Sequence, residues 1–169
     1  MRPVPGPVAV GAQDGTLWVT DVRHCLSDRE HAVLTLIADG RETDEIAREL
    51  FYSTRTVTGV VQDITRRFRL RNRAHAVAYA LRSGLLSRDQ HPARPPGEAE
   101  VASPRPLTGR QTTVLTLMAD GLGNGEIASA LGWSASSVRN VSYELMARLQ
   151  VRNRAHAVAY AVRSGLIGS

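Results

Sequence analysis

The string Arg-Asn-Arg-Ala-His-Ala-Val-Ala-Tyr-Ala occurs at residues 71–80 and again at 152–161. Self-similarity at a fixed offset signals duplication of a structural unit, and 81 residues is long enough for each copy to be a small domain. Extended outward without gaps, the match pairs residues 26–86 with 107–167, about half of them identical. A fold for this chain must therefore be buildable twice, from units of about 60 residues, near the lower limit for a self-sufficient core.

All eight prolines fall outside the two copies, as uninterrupted helices require. They mark an N-terminal arm at 1–25, a first unit at 26–87, a linker at 88–106 and a second unit at 107–169. The linker holds five prolines and no sustained apolar period, so it reads as a semi-extended connection. In the arm, Val8-Ala9-Val10 and Leu17-Trp18-Val19 flank a turn with Asp14-Gly15, the pattern of a short β-hairpin.

Within each unit the periodicity is helical throughout. Ser27 with Glu30, and Thr108 with Gln111, form capping boxes that open a first helix, and Gly40 and Gly121 stop it. A second helix is capped by Thr43 or Asn124. Ser53 and Ser134 cap a third. A fourth starts near Asn72 or Asn153, carries the repeated Ala-His-Ala-Val-Ala-Tyr-Ala, and ends at Gly84 or Gly165. The expected class is all-α: two tandem four-helix units. A short helix, a tight turn and a Ser-capped helix with one solvent-facing side make the helix-turn-helix shape that fits a DNA major groove.

Every one of the 21 basic side chains is Arg, and the net charge of +5 resides on the two units, since arm and linker each sum to zero. The lone Cys25 excludes an internal disulfide or a thiolate metal cage. No apolar run approaches 18 residues and no signal-peptide layout opens the chain, so a soluble, cytoplasmic protein away from membranes is expected. His75 and His156 lack Cys or carboxylate partners at ligand spacing, so no metal or other cofactor is expected. With no nucleophile–base pattern and no glycine phosphate loop, neither is enzymatic activity.

Leu107-Thr108-x-Arg110, Val114-Leu115, Gly121, Asn124-x-Glu126-Ile127-Ala128, Leu131, Ser134-x-x-x-Val138-Arg139-Asn140, Val151-Arg152-Asn153-Arg154-Ala155 and Gly165-Leu166-Ile167 resemble the LuxR-type (GerE) helix-turn-helix. The first copy resembles it in the same frame. The resemblance implies a bacterial transcription regulator that places its third helix in the groove of double-stranded DNA and often dimerises through its fourth.

Where the family commonly reads Thr-Val-Lys-Asn-His, the second copy has Arg139 and Asn140, which can fork to guanine and to adenine respectively. Ser134, Ser136 and Tyr143 share that helix, and Arg152 and Arg154 just beyond it are candidate phosphate contacts. The first copy has Thr58 and Gly59 instead, with Asp63 on the same face. Arg55, Thr58, Gln62 and Arg66 are left as its candidate contacts. The second unit is therefore expected to be the main reader. Ala76, Tyr79, Ala157 and Tyr160 on the fourth helices are the candidate dimerisation residues. A homodimer, an intramolecular pseudo-dimer, and capture of another regulator of the same type through the fourth helices all remain open.

Overall fold

The computed structural model describes residues 26–87 and 107–167. The expected arm hairpin, the linker and Cys25 lie outside the described residues. The first unit contains α1 (Asp28–Ala38), α2 (Thr43–Glu49), α3 (Thr54–Arg67) and α4 (Arg73–Arg82). The second repeats it as α5 (Gly109–Ala119), α6 (Asn124–Leu131), α7 (Ala135–Leu149) and α8 (Arg154–Arg163). Among the described residues there is no strand.

Local chemistry starts the helices where the sequence placed them, with one shift. The capping boxes of Ser27 and Thr108 are formed, and Ser53 and Ser134 each accept the amide three residues on, at 3.0 and 3.1 Å. Thr43 and Asn124 are first helical residues rather than caps. The caps are Glu42 and Gly123, whose amides donate to the Glu45 and Glu126 carboxylates, both at 2.7 Å. A carboxylate three residues ahead satisfies the orphan amide more strongly than a hydroxyl or amide side chain would, and this sets the start one residue earlier.

Each unit packs its first and third helices on its fourth, and its second helix on the first and third. Val33, Leu34, Ile37, Ile46, Val57 and Ile64 are fully buried in one, and Val114, Leu115, Met118, Ile127, Val138 and Leu145 in the other. The fourth helices are different in kind. In α4, Ala74, Ala76, Val77, Ala78, Ala80 and Leu81 are buried, an apolar arc of about 200°, and α8 repeats the pattern. An arc this wide needs more cover than one neighbouring face supplies. Each unit supplies one side, and the most extensive helix–helix contact in the structure, α4 on α8, supplies the other. Alanines permit that close approach. The contact extends to α1 on α8 and α5 on α4, so the two units share one continuous apolar core.

Candidate nucleic-acid interface

The α7 helix turns Val138, Ser142, Leu145 and Leu149 inward. That leaves Ser136, Arg139, Asn140, Tyr143 and Glu144 exposed at i, i+3, i+4, i+7 and i+8, one continuous stripe. The Ser134 hydroxyl caps the helix and contacts the hydroxyl of Ser136 at 2.9 Å. Among the described residues the Arg139 and Asn140 side chains take no hydrogen bond or ion pair. Two adjacent groups able to fork to base edges thus stand free on the second helix of a helix-turn-helix, with Tyr143 one turn on and 63% exposed.

The equivalent stripe on α3 has different chemistry. Arg55, Thr58, Gln62, Asp63 and Arg66 are exposed. The Arg66 guanidinium lies 3.5 Å from Asp63, and the Thr58 hydroxyl turns back to the Thr54 carbonyl at 2.9 Å. Cations stand at the two ends of this stripe and a neutralised pair near one end, where α7 has its cation at the centre.

Both turns between second and third helix are braced alike. Arg29 lies 5.3 Å over the Tyr52 ring, and Arg110 lies 5.0 Å over the Trp133 ring. Each ties the start of its unit's first helix to the entry of its third.

Arg152 and Arg154 both take protein partners. Arg152 reaches across to Glu45 of the first unit at 2.8 Å, and its counterpart Arg71 reaches Glu126. These guanidiniums hold both carboxyls below the ordinary glutamate range, the Arg152 hydrogen bond leading at Glu45 and the Gly123 amide leading at Glu126. Arg154 turns into its own unit, donating to the Leu122 carbonyl and to Asn124 at 3.2 Å, and burial lowers its guanidinium from its ordinary value.

The polar contacts at the junction come in equivalent pairs, except that Asn153 also donates to Glu42 at 2.6 Å, where the second unit has Gly123. Asn72 donates to the Gly121 carbonyl at 2.8 Å and Asn153 to that of Gly40 at 3.0 Å. Arg82 pairs with Asp120 at 3.5 Å, and Arg163 with Asp39 at 3.2 Å. His75 packs on Gly121 and His156 on Gly40, where an added Cβ would meet the imidazole Nδ1 at 2.7 and 2.6 Å.

His75 and Arg82 therefore mark the face of α4 that meets the second unit, with Ala78 between them. Ala76 lies about 100° round the helix from His75, and Ala157 holds the same place on α8. The Tyr79 ring packs 5.1 Å from Phe68 of its own unit. Tyr160 is half-buried. No sequence signal singled out Asp39, Asp120, Arg82 and Arg163 beyond their identity between the copies outside the helix-turn-helix core, nor marked Glu45 and Glu126 within it as junction residues.

Among the described residues no group of three or more His, Cys, Asp or Glu gathers as a metal site, and no helix is long and apolar enough to cross a membrane.

The model of the family described as "Bacterial regulatory proteins, luxR family" (GerE) matches residues 24–80 and again 105–161. Three curated proteins of Bacillus subtilis are similar over one unit's length. They are the transcriptional regulatory protein DesR (39% identical over 59 residues, 35% of this chain and 30% of that protein), the uncharacterized transcriptional regulatory protein YhcZ (42% over 62 residues, 37% and 29%) and the uncharacterized transcriptional regulatory protein YxjL (36% over 62 residues, 37% and 28%). The chain thus spans less than a third of the length of these relatives. No solved structure matches it. With both units matched over their helix-turn-helix frames, the chain belongs to the LuxR family of bacterial regulatory proteins.

Proposed function

We propose that the chain is a DNA-binding transcription regulator in which α7 reads bases in the major groove and α3 holds the neighbouring half-site mainly by its phosphates. The observation that carries this reading is the pair Arg139 and Asn140, exposed, adjacent and uncommitted on the solvent stripe of α7. A well-placed bidentate contact from either is worth about 1–3 kcal/mol of discrimination between bases. On α3 the contacts are Arg55 and Arg66 at the stripe ends, with Thr58 and Gln62 between them, a set suited to backbone rather than base recognition. Ser134 and Ser136 lie where a phosphate meets the start of α7, and Tyr143 lies beside the reading pair. Arg152 and Arg154 act on protein: one joins the units, the other fixes its own α5–α6 connection.

The packing of α4 on α8 presents two helix-turn-helix units on one chain, as a dimer of single units would. Capture of a related regulator through the fourth helices is the weaker reading, because these helices already cover each other.

Selection of random duplexes by the full chain tests the proposal. The expected product is a lopsided site, one half well defined and containing guanine or adenine at the Arg139 and Asn140 positions, the other half nearly free in sequence. Equal affinity for selected and random duplexes at one salt concentration would overturn it.

A further inference from the structure

The stripe that α7 turns to solvent carries a carboxylate as well as a cation. Glu144 stands four residues after Asn140, on the same face and about 6 Å further along the helix axis. It is exposed, and among the described residues its carboxylate takes no hydrogen bond or ion pair. Arg148, one turn on, donates instead to the Gln111 side chain at 3.0 Å. The equivalent acid on α3 has other company: Asp63 lies 3.5 Å from the Arg66 guanidinium, and the residue of the second unit equivalent to Arg66 is Ala147. Both third helices thus turn an acid to solvent, and only the acid on α3 has a counter-charge.

A lone carboxylate on a face that meets a polyanion weakens binding wherever no donor stands opposite it. One like-charge pair about 4 Å apart in water changes an affinity by roughly fivefold. In the major groove guanine presents two acceptors, thymine an acceptor and a methyl group, and adenine an amino group beside an acceptor. Cytosine presents an amino donor alone. Cytosine is therefore the base whose edge best satisfies a carboxylate.

We propose that Glu144 is a specificity-determining residue that accepts from the cytosine amino group and disfavours duplexes without a C·G pair at its position. Its place on the helix sets that pair within about two base pairs of the bases met by Asn140. Glu144 acts as much by exclusion as by attraction. Its role rests on the placement of α7 in the groove proposed above. On α3, Arg66 neutralises Asp63, so the first unit has no matching preference.

Selection of random duplexes by the full chain, Glu144→Gln, Glu144→Ala and Arg139→Ala tests this role. The wild type is expected to fix a C·G pair beside the bases selected by Arg139 and Asn140. Glu144→Gln should change that pair to A·T with adenine in place of cytosine, since an amide pairs with adenine bidentately. Glu144→Ala should leave the position free in sequence and bind a scrambled duplex about fivefold more tightly. Affinity for the wild-type site should change less than about twofold, because the lost contact and the relieved repulsion offset each other. A merely structural side chain would not exchange one base for another.

A wild-type site with no C·G pair there, or the same base fixed by the wild type and both Glu144 variants, would overturn the proposal. If Arg139→Ala frees its own position while the Glu144 variants change nothing, the role of Glu144 alone is excluded. If no position responds to any of the three, α7 is not in the groove and the role of Glu144 falls with it. Should a Glu144 variant lose helicity, the wild-type site decides: a C·G pair at that position supports the role, and any other base or none excludes it.

Discussion

The Asn72 side chain donates from Nδ2 to the Gly121 carbonyl at 2.8 Å while its Oδ1 accepts the His75 amide at 3.0 Å. One residue thus starts α4 and ties that start to the other unit, and Asn153 does the same for α8. Helix initiation and assembly of the two units are coupled at a single side chain.

Asp caps a helix as well as Asn does, but it lacks the donor and would set a carboxylate against a carbonyl. Asn72→Asp is therefore expected to destabilise the chain by about 1–3 kcal/mol, read as a lower midpoint in denaturant unfolding. An unchanged midpoint would reduce Asn72 to a cap.

Gly84 and Gly121 both have left-handed backbone, at φ +71° and +84°, but only Gly121 has a neighbour where a Cβ would go. Gly84→Ala should cost about 1 kcal/mol of backbone strain. Gly121→Ala should cost more, because His75 must also be displaced from the junction. Comparing the two thermal midpoints isolates the junction's share.

Burial lowers the His75 imidazole below its usual 6.5; Asp120 opposes the shift, and Arg82 and Arg71 add to it. Its Nδ1 accepts the Arg71 amide at 3.3 Å, which only the neutral ring can do. A depressed imidazole contributes stability above pH 6.5 that is lost as pH falls through the folded value. Glu45 and Glu126, held below 4.5, keep their contribution until lower pH. Unfolding midpoints should first fall just below pH 6.5, and His75→Asn, which keeps an acceptor that does not titrate, should reduce that first step.

Gly59 lies inside α3, and a Cβ there would meet nothing within 4 Å. Gly59→Ala should stabilise by about 0.5–1 kcal/mol. The double change Thr58→Arg, Gly59→Asn should go further and sharpen the second half of the selected duplex site. A selected site as lopsided as the wild type's would show that α3 never reaches the bases.

The helices were legible because each carries its own start and stop: Ser53, Ser134 and the two asparagines act on amides three residues away, and the apolar stripes have one period. The asymmetry of α3 and α7 was also legible, since Gly59 and Thr58 change chemistry at positions whose frame the repeat fixes. The junction was not. Arg152 looks the same in sequence whether it meets a phosphate or Glu45, which lies 107 residues away, and no local rule chooses between them. The facing stripe of α4 was hidden for a related reason: Ala78 stands beside the contacts to the second unit and Ala76 and Ala80 on the far side of the helix, so alanine content does not distinguish the two sides.

The central claim, that α7 reads bases, is tested most directly by titrating a selected duplex and a scrambled one with the full chain and with Arg139→Ala, at several salt concentrations. The account predicts a loss of about 1–3 kcal/mol on the selected duplex, roughly 5- to 150-fold, with preference over the scrambled duplex reduced by a similar factor. Unchanged affinity, preference and salt dependence for Arg139→Ala would contradict it.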